Sequence, residues 1–298
     1  MRINPDPYPD ILSSVERTQQ QIFTDEQQIA SGQSVNVPSD NPAAAAVLVQ
    51  NADQTSQADQ FQRSIGSVQG EIQSADSTLN SVVESLQQAI SLGVEGANGT
   101  VNAEDRQAII TQLQGIQSQL LNLANLTYQG NYVFAGTATQ TTPYTLNPSS
   151  SSGVTYQGNS GTNSVTLGNH FSLQTNLPGS QLFTGSPSNM FQSIQDLING
   201  LESNNTTTIG SAVTEVSNAL NYVDGQRVFY GNALSQLTAQ QTYLSSESTE
   251  LAQQANTAGG ADLTAVITNL TASQTSLQAA LEAVGQTGQI DLFSYLRE

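Results

Sequence analysis

The chain contains no cysteine, no tryptophan and no lysine, and the missing residue types exclude several kinds of chemistry and partner. Without cysteine there is no disulfide, no thiol nucleophile and no cysteine-bound metal. Six arginines carry all the basic side-chain charge against 24 acidic residues, so the formal net charge is −18. Nucleic acids and anionic membrane surfaces are bound by clusters of lysine and arginine, so both are poor partners for this chain.

Charged residues and long apolar runs are also scarce. Charged residues make up 10% of the chain, whereas soluble domains average about 25%. No stretch approaches 18 consecutive apolar residues, so we expect no membrane insertion. The segment from Met1 to Pro9 lacks the apolar core of a cleavable signal. We therefore expect either a cytoplasmic protein or one exported by a machine that cleaves no signal.

Catalytic and metal-binding patterns are missing as well. His170 is the single histidine, and it follows a Gly-Asn turn, where a surface residue is expected rather than a catalytic base. Glu104, Asp105 and Asp196 do not form a recognisable acid pair with a neighbouring motif. No phosphate-binding loop, nucleophile elbow or calcium-binding loop is present. The sequence therefore predicts a protein that is not an enzyme and needs no cofactor or metal.

The strongest positive signal is an apolar repeat from Ile209 to Ala255. Apolar residues recur in alternating steps of four and three, and only Arg227, Gln241 and Ser248 interrupt them. A 3.5-residue period held this long predicts a helix with one apolar stripe along a partner helix. Such a helix would be roughly 70 Å long, which indicates an elongated molecule.

Arg227 lies on this stripe, and two interpretations of it are open. In the first, which we favour, its aliphatic stem packs on its neighbours while the guanidinium stays in solvent. In the second, the guanidinium forms an ion pair with a partner helix.

Shorter apolar repeats predict further helices on both sides. One helix should begin near Asp10 and end at Gly32, and a second, much longer one should follow from Pro42 to Gly93. Helices are also expected from Asn102, from Phe191 and over 262–284. The first and last of these helices have stripes that are weak alone, so we expect them to pair and to be ordered fully on assembly.

The apolar positions of these two terminal helices, together with the apolar end of the chain, are the predicted assembly positions between subunits. They are Ile11, Val15, Ile22, Ile29, Leu263, Val266, Leu270, Leu277, Val284, Leu292, Phe293 and Leu296.

The middle of the chain changes character. Residues 134–185 are rich in Thr, Ser, Asn and Gly and contain short β-prone runs, and another such run covers 132–134. The predicted fold is therefore mainly α, an elongated rod of long coiled-coil-like helices with paired termini and a small antiparallel β domain inserted mid-chain. The predicted domains are a terminal coiled coil (1–41 and 258–298), a helical rod (42–133 and 186–257) and an outward-facing β domain (134–185).

Four segments of this sequence, in order along the whole chain, resemble the flagellin family of bacterial flagellar proteins. The first contains Met1-Arg2-Ile3, Ile29–Gly32 and Pro38–Ala44; the second contains Gly130–Thr137, Pro143-Tyr144 and Val154–Asn159; the third contains Arg227, Gly231, Leu234 and Leu237; the fourth contains Asp262–Leu281 and Asp291–Leu296. The second segment and the ending resemble the hook-associated branch of the family more than flagellin itself.

The resemblance implies a structural subunit at the junction between the flagellar hook and filament. It implies export through the type III channel, a cytoplasmic export chaperone before secretion, and a final place in the extracellular flagellum. The implied partners are an adjacent hook-associated protein, flagellin and copies of the chain in a ring, joined through terminal helices that form an inner coiled-coil layer. Two alternatives remain open: a minor flagellin that forms the filament itself, and a secreted glycan-binding or adhesive protein that uses the β insert.

Overall fold

The computed structural model describes the backbone of residues 8–168, 171–185 and 188–295, and within these ranges the side chains from residue 10 to residue 285. The described helices are α1 (Tyr8–Ser31), α2 (Pro42–Gly96), α3 (Ala103–Ala124), α4 (Gly179–Leu182), α5 (Met190–Glu202), α6 (Thr206–Gly259) and α7 (Leu263–Tyr295). The described strands are β1 (Thr127–Tyr128), β2 (Asn131–Tyr132), β3 (Tyr144–Leu146), β4 (Val154–Tyr156), β5 (Ser164–Thr166) and β6 (Ser172–Gln174). The predicted fold class, mainly α with an antiparallel β insert, is confirmed.

The chain divides into two compact units. The first unit contains Met1–Ala58 and Ser245–Glu298, and the second contains Asp59–Leu244. In the first unit α1 packs against α7, so the predicted pairing of the terminal helices is confirmed. The β insert lies in the second unit together with α3, α5 and parts of α2 and α6.

The repeat in α6 places one residue of every heptad in the core. These buried residues are Ile209, Val216, Val223, Tyr230, Leu237, Leu244 and Leu251. The intervening positions of the same repeat, such as Val213 and Leu220, are only half-buried. The helix starts earlier than the repeat because Asn205 caps it, with its side-chain oxygen accepting hydrogen bonds from the amides of Thr207 and Thr208 at 3.1 Å.

Arg227 is the polar interruption of this stripe, and it forms an ion pair. Its Nε lies 3.0 Å from Oδ1 of Asp76 on α2, and its Nη1 lies 3.3 Å from Oδ1 of Asp224 on α6. The interpretation that we favoured from the sequence, with the guanidinium free in solvent, is therefore wrong. A carboxylate on the facing helix holds the charge at the edge of the packed stripe instead.

The β insert consists of three separate antiparallel pairs rather than one sheet: β1 with β2, β3 with β4, and β5 with β6. The strand predicted over 132–134 ends at Tyr132. The carbonyl of Phe134 does not join a strand, because it accepts hydrogen bonds from the amide of Gly179 at 2.7 Å and the hydroxyl of Tyr156 at 3.0 Å. The chain therefore turns inward at this point.

Aromatic side chains fill the core beneath the insert. The Phe134 ring meets that of Phe183 edge-on, with centroids 5.2 Å apart. The Tyr144 ring lies 5.2 Å from that of Phe191, the second residue of α5. Since all four side chains are fully buried, this cluster anchors the insert to the helices of the same unit.

Candidate assembly surface

The ends of α1 and α6 are joined by backbone hydrogen bonds within the first unit. Gly32 ends α1 with φ at +69°, a conformation that glycine adopts without strain. The carbonyl of Gly259 then accepts hydrogen bonds from the amide of Ser34 at 2.7 Å and from its hydroxyl at 3.1 Å. The amide of Ala261 donates to the carbonyl of Gly32 at 3.0 Å. These bonds fix the end of α1 beside the start of α7.

The segment Pro38–Ala44, which contributed to the family resemblance, folds the turn between α1 and α2. Oδ2 of Asp40 accepts hydrogen bonds from the amides of Asn36 at 2.9 Å and Val37 at 3.0 Å. Oδ1 of Asn41 accepts from the amide of Ala44 at 3.1 Å, which caps the first turn of α2. Each polar residue thus satisfies backbone donors that the turn would otherwise leave free.

Asp262, the residue directly before α7, caps that helix in the same way. Oδ1 of Asp262 accepts hydrogen bonds from the amides of Thr264 at 3.0 Å and Ala265 at 3.1 Å. The start of α2 and the end of α6 are tied by the side chain of Asn51, which donates to the carbonyl of Leu251 at 3.3 Å. Polar bonds therefore join the segments at this end of the unit, although its apolar core is small.

The predicted assembly positions differ widely in burial. Val15 and Val266 are buried, and Leu263 is exposed. The half-buried positions are Ile11, Ile22, Ile29, Leu270, Leu277 and Val284. The side chains of Leu292 and Phe293, and the whole of Leu296, lie outside the described residues. Most of the described positions therefore retain some surface that another helix could cover.

A second apolar stripe, which the sequence reasoning missed, is more exposed than the predicted one. Leu12 is 46% exposed and Phe23 is 66% exposed on α1, while Ile267 and Leu281 are both 52% exposed on α7. Leu12 and Phe23 are about three helical turns apart, so they lie on one face of α1. Ile267 and Leu281 are about four turns apart, so they lie on one face of α7. The sequence offered one indication of these residues, because Leu12, Phe23 and Ile267 each directly follow a predicted assembly position. We refer to these four residues as the exposed stripe.

Asp25 is a buried carboxylate on α1. It is 2% exposed, and its Oδ1 accepts a hydrogen bond from Nε2 of Gln21 at 2.9 Å. Its Oδ2 is buried and receives no hydrogen bond from the described residues. A buried oxygen without a donor destabilises the structure that contains it. The packing of α1 in the single chain is thus weakened at this position.

A shallow polar groove lies between the same two helices. Its lining consists mostly of small and hydroxyl-bearing side chains: Ser14, Arg17, Thr18, Gln21, Ala272, Ser273 and Ser276. Large apolar side chains do not close this part of the α1–α7 contact, so its packing is incomplete in the single chain.

The described ranges contain neither a metal site nor a membrane-spanning helix. Among residues 8–168, 171–185 and 188–295 no three His, Asp or Glu side chains are grouped closely enough to hold a metal ion. None of the described helices combines the length and apolar character needed to cross a membrane.

The fold and this surface together define a mainly helical structural subunit whose paired terminal helices expose apolar side chains. Residues 8–139 match the family model for the bacterial flagellin N-terminal helical region. The chain is 27% identical over 286 residues to Flagellar hook-associated protein 3 of Escherichia coli, with 90% of each protein covered. It is 33% identical over 138 residues to the protein of the same name from Salmonella typhimurium, which covers 46% of this chain and 44% of that protein.

Solved structures show the same fold. A putative flagellar hook-associated protein from Vibrio parahaemolyticus has a TM-score of 0.68 at 24% identity, covering 74% of this chain and 99% of that one. FlgL from Bacillus cereus has a TM-score of 0.61 at 21% identity, covering 70% and 99%. The resemblance to the flagellin family is thus confirmed over residues 8–139, and the chain as a whole is similar to hook-associated proteins.

Proposed function

We propose that this protein is a structural subunit of the bacterial flagellum at the hook–filament junction, where it links a hook-associated protein to flagellin. The single observation that carries this proposal is the similarity to Flagellar hook-associated protein 3 over 90% of both chains. The paired terminal helices give the proposal its physical mechanism, because they present apolar surface that the single chain does not cover.

The exposed stripe supplies a driving force for assembly. Burying a large apolar side chain completely contributes about 1.5–3 kcal/mol. Phe23 and Ile267 are 66% and 52% exposed, so a neighbouring helix that covered either of them would gain about 1 kcal/mol from it. One such contact is weak, but contacts repeated with several neighbours in a ring add up to a stable layer.

The same reasoning extends to the domains and to the predicted assembly positions. We propose that 1–41 and 258–298 form the inner coiled-coil layer, with neighbours packed against positions such as Ile22 and Leu270. In this arrangement 42–133 and 186–257 form the helical body, and 134–185 faces outward. Copies of this chain, an adjacent hook-associated protein and flagellin are the proposed neighbours.

We also propose that the protein reaches this place by type III export. The absence of cysteine supports this route, since no disulfide can block the passage of an unfolded chain. Terminal helices with little core of their own suit a chaperone that shields them in the cytoplasm before export. The protein has no proposed catalytic role, and neither nucleic acid nor a membrane is a proposed partner.

Deleting either terminal segment tests the proposal. Cells that lack the natural copy would express the full chain, a chain without residues 1–35, or a chain without residues 262–298. We expect both shortened proteins to keep the helical circular dichroism of the second unit and to leave hooks without filaments. A shortened protein that still joined hook to filament in electron micrographs would contradict the proposal.

The two alternatives are not favoured, because both curated relatives described above are hook-associated proteins rather than flagellins or adhesins. The first alternative, a minor flagellin, can be distinguished from a junction subunit in vitro. Purified protein is added to isolated hooks that already carry the preceding hook-associated protein. A junction subunit adds one short layer and stops, whereas a flagellin continues to elongate.

A further inference from the structure

The second unit contains a polar pocket of about 310 Å³ that the assembly function does not use. It is lined by Ser67 and Glu71 of α2, by Tyr128, Gln129, Asn131, Tyr132 and Val133 of the first hairpin, and by Thr139, Asn163, Val165 and Thr175. The volume is at the lower end of the range for small-ligand sites. Among the lining residues, Glu71 is the only one with an acidic or basic side chain other than tyrosine.

Glu71 is a carboxylate without a polar partner in the part of the chain that the structure describes. The structure gives it no hydrogen bond or ion pair with a described residue, although burial raises the pKa of its carboxyl above the usual value. Arg227 on the facing helix cannot neutralise it, since that guanidinium is held by Asp76 and Asp224. A half-buried negative charge that lacks a counter-ion attracts a cation.

The other walls of the pocket also suit a cation. Tyr128 and Tyr132 line the same pocket as Glu71, and aromatic rings attract positive charge. The hydroxyl of Tyr132 accepts a hydrogen bond from Thr142 at 3.0 Å, which holds this ring in place. The side-chain nitrogen of Asn163 donates to the carbonyl of Gly136 at 3.4 Å, so its oxygen remains available as an acceptor.

The local backbone is arranged so that these side chains can meet. Gly70 has no side chain, and a Cβ at this position would collide with the hydroxyl of Tyr128, whose side chain packs there against α2. The hairpin turn between β1 and β2 places Gln129 at φ +50°, an uncommon conformation for a residue other than glycine.

We propose that this pocket binds a single guanidinium or alkylammonium group, with Glu71 as its counter-ion and Tyr128 and Tyr132 flanking it. The group has two possible sources, the side chain of an arginine or lysine on a neighbouring protein, or a free small amine. The proposal is independent of the junction function, and its failure would leave that function intact.

Isothermal titration calorimetry with the full chain tests this proposal. One arm uses n-butylguanidinium chloride, and the other uses a capped alanine-rich peptide with one central arginine, compared with the same peptide containing methionine. The variants are Glu71→Gln, Tyr128→Leu and a matched control, Glu95→Gln, which neutralises an exposed carboxylate at the end of the same helix. Thermal unfolding of each variant confirms that it is folded.

We expect the natural chain and the control variant Glu95→Gln to bind at least one guanidinium probe saturably. Loss of a charge-assisted hydrogen bond should weaken binding by Glu71→Gln at least about tenfold. Loss of the ring should weaken binding by Tyr128→Leu about two- to fivefold. Tighter binding of the arginine peptide than of n-butylguanidinium identifies a protein partner, and the reverse order identifies a free amine.

Three outcomes would overturn the proposal. The first is that neither guanidinium probe binds saturably to the natural chain. The second is that a folded Glu71→Gln binds as tightly as Glu95→Gln. The third is that neutral n-butylurea, or a neutral sugar, binds as tightly as n-butylguanidinium, which would show that the pocket does not select for charge.

Discussion

Arg227 and Asp76 are 151 residues apart in the sequence, yet they form a two-pronged ion pair between α6 and α2. Nε of Arg227 donates to Oδ1 of Asp76 at 3.0 Å, and Nη2 donates to Oδ2 at 3.4 Å. This hydrogen bond is the main reason that the pKa of the guanidinium lies above its usual value. The pair fixes the rotation of the two long helices about each other at this level of the second unit.

Replacement of Arg227 by methionine keeps the aliphatic stem and removes the charge. Both partners are about 30% exposed, with side-chain values of 27% and 32%, so solvent screens part of the attraction. We expect a loss of about 1 kcal/mol in the free energy of unfolding, measured with urea. Arg63→Met is the matched control, because Arg63 is exposed on α2 and forms no described ion pair. Equal effects of the two substitutions would contradict this assignment.

Replacement of Asp25 by asparagine should stabilise α1 in the single chain. The substitution replaces a buried carboxylate, whose Oδ2 has no donor among the described residues, by a neutral amide that costs less to remove from water. We expect a gain of about 1 kcal/mol, seen as slower amide hydrogen exchange in α1. Glu26→Gln, at the exposed neighbouring position, should leave exchange unchanged. Faster exchange in Asp25→Asn would mean that the carboxylate has a favourable partner.

Two buried tyrosines should make the folded protein less stable at alkaline pH. Burial raises the pKa of both Tyr144 and Tyr230 well above the ordinary value near 10. Because the folded-state pKa is the higher one, their stabilising contribution is complete below pH 10 and is lost as the pH rises towards that folded-state value. Absorbance at 295 nm should therefore show two tyrosines that ionise only together with unfolding.

The variants Tyr144→Phe and Tyr230→Phe should each reduce this alkaline loss of stability. Tyr230→Phe has a second effect at neutral pH, because the Tyr230 hydroxyl accepts a hydrogen bond from the amide of Leu177 at 3.3 Å. Leaving that buried donor unpaired should cost about 1–2 kcal/mol. Tyr243→Phe, at a position that is 60% exposed, serves as the control. The same alkaline unfolding curve in all variants would refute the account.

The helices could be predicted from the sequence because their buried apolar residues recur at a short, regular spacing. The stripe from Ile209 to Ala255, the end of α1 at Gly32 and the start of α2 at Pro42 depend on residues only a few positions apart, so spacing alone identifies them. The strand predicted over 132–134 failed for the opposite reason. The carbonyl of Phe134 is satisfied by Gly179 and Tyr156, and no local pattern signals such distant partners.

The assembly surface was predicted only in part. The 3.5-residue period identifies apolar positions on α1 and α7, but it cannot tell which of them the partner helix within the chain covers. Val15 and Val266 are buried in the single chain, whereas Phe23 and Ile267, one residue after predicted positions, are largely exposed. Asp25 is charged, so nothing in the local sequence signals that the fold buries it.

The most direct test of the central claim is a double substitution in the exposed stripe, Phe23→Ser with Ile267→Ser. Both side chains are more than half exposed, so the isolated protein should keep its circular dichroism spectrum and melting temperature. The control is Val228→Ser with Tyr243→Ser, two similarly exposed residues of the second unit. The measurement is the fraction of hooks that carry a filament in cells lacking the natural copy. The account predicts bare hooks for the stripe variant and normal filaments for the control; normal filaments for the stripe variant would contradict it.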